Sequence, residues 1–172
     1  MDASIHAEYT SNHLAVEAVA GFAREHRARM HVHISETRSE HEECKQRHGG
    51  KTPVMYFSDL GLFDVPATAA HCVWIEGEDF DILKEKGVTA AANPVSNLKL
   101  ASGVSNVPKM LDMGINVAIG TDSTASNNSL NFFEEMKVFA LASKTWYNDP
   151  KAVSPTQALY AATRAGALGQ GR

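Results

Sequence analysis

With 172 residues, 44% of them hydrophobic and 21% charged, and a formal net charge of −4, the chain reads as one soluble globular unit with a real core. Its lysines and arginines form no patch, which argues against nucleic acid and against anionic membrane surfaces. No apolar run nears the roughly 20 residues that a spanning helix needs, and the first residues lack a basic-then-apolar signal pattern. The two cysteines, Cys44 and Cys72, lie in unlike settings, so a disulfide framework is not expected and a reducing cytoplasm is the default location.

In chain order, short apolar runs alternate with longer helical patterns. SIHA (4–7) reads as a strand, and HLAVEAVAGFAREH (13–26) as a helix with Thr10, Ser11 or Asn12 as its cap. MHVHIS (30–35) is the next strand, followed by the charged, half-exposed helix ETRSEHEECKQRH (36–48). TPVMYFSDLG (52–61) opens with Thr-Pro and stops at Gly, the usual helix asymmetry. TAAHCV (68–73) is a strand, and GEDFDILKEKG (77–87) runs acidic to basic as the helix dipole favours. VTAAAN (88–93) and NVAIGT (116–121) are strands; NSLNFFEEMKVFALASKTW (128–146) and SPTQALYAATRAGALG (154–169) are helices. About five βα units in a row imply an α/β fold with a parallel sheet and right-handed crossovers.

Side-chain parity chooses between the two architectures with that pattern. Val32 and Ile34 share one face of their strand, and His31 and His33 the other; Val117 and Ile119 oppose Asn116, Ala118, Gly120 and Asp122; His71 is taken with Ala69. Branched residues toward helices, small ones within and polar groups at the strand tips describe a (β/α) barrel with a site at its mouth. A doubly wound nucleotide-binding sheet needs a G-x-G-x-x-G turn, and none occurs. His31, one pleat deeper than His33, reads as an interior histidine with a hydrogen-bond partner rather than as a ligand.

Three strands thus end in His33, His71 and Asp122. Imidazole and carboxylate suit a borderline divalent metal such as zinc or ferrous iron, which makes hydroxide available near neutral pH. Glu36 sits where strand turns to helix and can lean over the mouth as a proton carrier. The residues point to metal-assisted hydrolysis with His33 and Asp122 at the metal.

IHAEYTS (5–11), HVHISET (31–37), AAHCVW (69–74), NPVSNLKLASG (93–103), GTDSTASNNSLNFFEEMK (120–137) and ALYAATRAGALG (158–169) occur in an order that resembles the amidohydrolase superfamily. The resemblance is to the branch of methylthioadenosine/S-adenosylhomocysteine deaminases and chlorohydrolase-like aminohydrolases. It implies a partial (β/α)8 TIM-type barrel, with the units here corresponding to strands four to eight. It also implies that His33 is a metal ligand, Asp122 a metal ligand and general base, and His71 a partner of the hydrolytic water or the substrate. Glu36 would carry the proton to a ring nitrogen and hold the purine edge; His6 would contact the ribose or tail. Ser126, Asn127 and Asn128 would shape the pocket from the loop after Asp122, and Asn93 to Leu100 would form the loop after the seventh strand. The expected substrate is a small amino-heterocycle; within the same branch, guanine or a triazine is the alternative. Ala92 departs from relatives, which often carry histidine before Asn-Pro.

The family's first barrel strand ends in His-x-His and donates two metal ligands; no such strand precedes residue 4. Residues 1–172 therefore read as a single barrel fragment, without the first barrel strands or the β-sandwich domain. Zinc takes about four ligands, so the isolated chain is expected to bind metal weakly or not at all and to be inactive. Open barrel edges favour homo-oligomers, and a non-catalytic, self-associating fragment is the competing reading of the chain taken alone.

Overall fold

The computed structural model describes residues 1–172. Five parallel strands, β1 (Asp2–Ser4), β2 (Arg29–Ile34), β3 (Ala67–His71), β4 (Thr89–Ala92) and β5 (Val117–Ile119), lie side by side in chain order. Each new strand pairs with the one before it and the order never reverses. A doubly wound sheet reverses at a switch point, so this is the winding of a barrel wall, left open between β1 and β5. The barrel expected from parity, and its partial extent expected from the resemblance, are the architecture found.

The helices follow from local chemistry. α1 (His13–His26) is capped by Asn12, whose side chain accepts the Ala15 N–H, and it buries Val16, Ala20 and Ala23 at helical spacing. α2 (Arg38–Arg47) starts in a capping box of Thr37 and Glu40. α3 (Pro53–Asp59) has Thr52 as cap and proline in its first turn, and α4 (Asp79–Glu85) spans the centre of the acidic-to-basic run. The 93–100 segment is not a loop: Pro94–Lys99 is a helix, α5, and Val107–Asp112 forms a further short helix, α6, capped by Asn106. Residues 128–146 are not one helix either. A four-residue helix, α7 (Thr124–Asn127), ends at Asn128, whose φ of 72° breaks the run before α8 (Phe132–Trp146). Ser154 and Gln157 box the start of α9 (Pro155–Tyr160), which continues through a π-helical turn at Ala161–Ala165 into α10 (Gly166–Gly169).

The core lies between sheet and helices. Met30, Val32 and Ile34 of β2 join Val117 and Ile119 of β5 there, against Val16, Phe57, Leu83, Met110 and Phe139 from the helices. Each such side chain contributes roughly 1.5–3 kcal/mol by leaving water. Register decides what faces the other way. His33 is opposite Ala70, and Ile34 is opposite His71. Ala69 and Ala67 join the helix-side core, so the pairing of His71 with Ala69 on the inward face is overturned: by strand parity His71 belongs to the helix side. His71 nonetheless reaches the mouth because it leaves the strand in the left-handed region, φ 71°, followed by Cys72 at 49°. His31 does face inward, but it is exposed, with its ring centroid 6.3 Å from that of His33 and no hydrogen-bond partner, so it is not the partnered interior histidine expected. Ala92 lies in the helix-side core, where the missing histidine touches packing rather than the mouth.

Candidate functional site

The site forms where the strand tips meet. The first strand ends earlier than SIHA suggested, yet its backbone keeps pairing: Ile5 N–H donates to His31 O, and His33 N–H to His6 O at 2.9 Å. The His6 carbonyl also receives the His33 ring Nδ1–H at 2.8 Å. That bond fixes the ring and its tautomer and leaves Nε2 with a free lone pair, the usual arrangement of a metal-binding histidine. Burial, and then the neighbouring His71, hold the His33 pKa below the ordinary histidine range, so the ring is neutral at pH 7. The His6 ring, exposed and held by Thr10 Oγ1 at 2.9 Å, stands edge-on to His33 with centroids 4.8 Å apart.

His71 is 2% exposed, with its ring centroid 5.2 Å from that of His33. Its Nδ1 lies 2.8 Å from Asn97 Oδ1 and 3.2 Å from Asn93 Nδ2, and its carbonyl accepts the Ser105 hydroxyl at 2.6 Å. Gly120 at the tip of β5 makes this possible, since a Cβ there would collide with Asn93 Oδ1. The Nε2 atom of His71 faces Glu36 Oε2 at 3.6 Å, and Ser102 Oγ touches Glu36 Oε1 at 3.4 Å.

Asp122 leaves β5 in the left-handed region, φ 57°. Its Oδ2 accepts the Ser96 hydroxyl at 2.6 Å and its Oδ1 the Ser123 N–H at 2.7 Å. Burial pushes its pKa up, but the bonds from Ser96 and Ser123, with Ser126 and His71 nearby, outweigh burial, and the carboxyl sits below its ordinary range. A neutral imidazole and an ionised carboxylate fit a borderline divalent cation in kind. In number they fall short: the one group of three ligand-type side chains within 4.8 Å of one another lies elsewhere, at Glu8, Cys44 and His48.

That outer group is an ion-pair cluster. The buried Glu8 carboxylate is held by Arg47 Nε at 3.1 Å and Nη2 at 2.5 Å and by His48 Nε2 at 2.7 Å. Burial pushes the Cys44 thiol up to about 12, so it stays protonated and donates to Lys51 O. Glu8 thereby fastens the turn after His6 to the end of α2.

His6, His33, Glu36 and His71 are brought together, and Asp122 is held by Ser96 at the neighbouring strand tip. The Ser126 hydroxyl donates to the Ser123 carbonyl at 3.2 Å, in the turn after Asp122. Asn127 and Asn128 do not face the mouth: Asn127 donates to Thr121 O and Glu135 Oε1, and Asn128 accepts from Lys99. Asn93, Ser96 and Asn97 are the residues that reading the segment as a loop left without individual roles. Asn93 stands at the cap of α5 ahead of Pro94, and Ser96 and Asn97 follow three and four residues on, a spacing that brings all three to one side of the helix.

The fold is a (β/α) barrel wall with polar residues gathered at its strand tips, and residues 2–172 match the amidohydrolase family. The chain belongs to that family. It is similar to the 5-methylthioadenosine/S-adenosylhomocysteine deaminase of Thermoanaerobacter pseudethanolicus, with 49% identity over 94% of this chain and 37% of the relative. It is also similar to the 5'-deoxyadenosine deaminase of Methanopyrus kandleri, with 44% identity over 95% of this chain and 38% of the relative. Among solved structures, an adenosine deaminase from Xanthomonas campestris with bound zinc superposes with a TM-score of 0.93 at 34% identity, covering 98% of this chain and 38% of that one. The chain thus spans less than two-fifths of the length of these relatives.

Proposed function

We propose that residues 1–172 form the strand-four-to-eight part of a longer hydrolase that removes the exocyclic amino group of an adenine-type nucleoside such as methylthioadenosine or S-adenosylhomocysteine. The observation that carries this reading is the meeting at one rim of the His33 and His71 rings, with centroids 5.2 Å apart, and of the Glu36 carboxylate 3.6 Å from His71 Nε2, with each imidazole fixed by a bond to its Nδ1. The names of the similar deaminases support the nucleoside, and the zinc of the Xanthomonas structure supports zinc as the ion.

A divalent cation held by His33 and Asp122, with the further donors that four-coordination requires, would supply hydroxide near neutral pH. The chain's own residues do the rest. Asp122, kept ionised by Ser96 and Ser123, takes a proton from the attacking water. Glu36 delivers a proton to the ring nitrogen as the water oxygen bonds to the amino-bearing carbon; Asp122 then returns its proton to the amino nitrogen as the C–N bond breaks, Glu36 recovers one from the new hydroxyl as the carbonyl forms, and ammonia leaves. His71, oriented by Asn97, donates to or accepts from the attacking oxygen, and His6 faces the substrate's ribose or tail.

Ammonia release from methylthioadenosine by the full-length enzyme tests the reading, and Asp122→Asn should lower it by about 10⁴-fold. The 172 residues alone should show no turnover. The unpaired edges of β1 and β5 should make the isolated chain self-associate, which sedimentation reads as a species larger than 18.6 kDa. A clean monomer at high concentration would contradict the edge argument.

A further inference from the structure

The turn that carries Glu36 is gripped from beneath by a second carboxylate that the proposed chemistry leaves unused. Glu40, in the first turn of α2 and 6% exposed, accepts the Ser35 N–H on Oε1 at 3.0 Å and the Glu36 N–H on Oε2 at 2.8 Å. Its bond to the Thr37 N–H is the longest of the set, 3.5 Å. A capping box needs only that last bond, from the residue at the helix cap. Glu40 instead makes its best bonds to the two residues before the cap, outside the helix.

The neighbouring groups point the same way. His41, 2% exposed, places Nδ1 3.1 Å from Ser35 Oγ, and its Nε2 lies 3.2 Å from Glu76. The Ser35 carbonyl accepts the Trp74 N–H at 3.0 Å. Ser35 itself is in the left-handed region, φ 47°, a conformation that persists in a non-glycine residue only where its surroundings enforce it. The Glu36 side chain, by contrast, has only the 3.4 Å contact to Ser102 and the 3.6 Å approach to His71.

We infer that Glu40 is a positioning residue: its two oxygens clamp the Ser35 and Glu36 amides, hold the strained turn, and so aim the Glu36 carboxylate at His71. This rests on the reading of Glu36 as the proton carrier. Two separate acceptor oxygens for two amides explain why a carboxylate stands here. A glutamine has one acceptor oxygen, and its NH2 would oppose one of the two N–H groups. Burying an ionisable group is costly, and for Glu40 that cost pushes its pKa up to about 7. A residue that only capped α2 would have no need of it.

The test has two arms. In the 172-residue chain, amide hydrogen exchange should show Ser35 and Glu36 protected in the wild type and exchanging at least about tenfold faster in Glu40→Gln, with Val16 and Ala20 of α1 unchanged. In the full-length enzyme the same substitution should lower kcat between about ten- and a hundredfold with KM little changed, as misplacement of a reacting group does. Faster exchange with unaltered kcat, or lowered kcat with unaltered exchange, overturns the inference. If the variant does not fold, the wild type decides: solvent-like exchange at these two amides overturns it and protection supports it. Should the full-length wild type release no ammonia, the deaminase reading fails while the exchange arm still reports on the clamp.

Discussion

The two carboxylates at the mouth are held in opposite ways. Around Asp122 the side chain itself is tied down, one oxygen to the Ser96 hydroxyl and the other to the Ser123 amide. Around Glu36 it is the backbone that is tied down, by Glu40, while the carboxylate keeps only long contacts to Ser102 and His71. A group that must stay ionised and in place, as a ligand and base, gains from bonds to its own oxygens, which favour the charged form. A group that must pick up a proton and pass it on gains from a fixed root and a free end.

Neutralising each carboxylate is the coarsest way to break that comparison. Asp122→Asn should cost activity near the upper end of the about 10²–10⁴-fold range for proton-transfer groups, and Glu36→Gln nearer its lower end, read as kcat/KM for ammonia release. Equal losses would say that the two are not held for different tasks. Ser96→Ala removes a charge-assisted bond worth about 1.5 kcal/mol, roughly tenfold in kcat/KM. Because that bond helps keep the Asp122 pKa low, its loss lets the pKa rise, and the acid limb of the pH–rate profile should move upward. An unmoved limb would remove Ser96 from the argument.

A gentler probe uses stability. Burial lifts the Glu40 carboxyl from 4.5 to about 7 in the folded chain. A raised folded-state pKa contributes stability that is complete below pH 4.5 and is lost as pH rises through 7. The melting temperature of the wild type should therefore fall between pH 5 and pH 8 relative to that of Glu40→Gln, where this slope is absent; parallel curves would contradict the burial argument. The smallest effect belongs to Ser102→Ala: its 3.4 Å contact is at the edge of hydrogen bonding, so less than about twofold in kcat is expected.

Much of this was legible from residue order. The helical spacing over 13–26 marks α1 to the residue, with Asn12 taking the cap among the three candidates before it, and the Val32/Ile34 against His33 alternation survives as core against mouth. The barrel winding follows from repeated βα units whose strand tips share polar residues. What was not legible depends on single backbone angles. Period-2 reasoning assumes an extended strand, and His71 escapes it by turning left-handed at the tip. Asn128 does the same inside an apparently continuous helical pattern. Both are positions where tertiary bonds, Ser105 to the His71 carbonyl and Lys99 to the Asn128 side chain, outweigh local preference. α5 was missed because six residues are too few to show a period, although Pro94 marks its start.

Ser35, His71 and Asp122 share one property beyond their chemistry: each is a non-glycine residue with positive φ. Such residues cost about 1–3 kcal/mol apiece. Directed evolution for heat tolerance alone would find its quickest gains here, swapping these three for glycine or asparagine, and would harvest sturdier proteins stripped of the proposed site. A library meant to toughen this protein should therefore leave those codons fixed and seek its improvements on the outer helices.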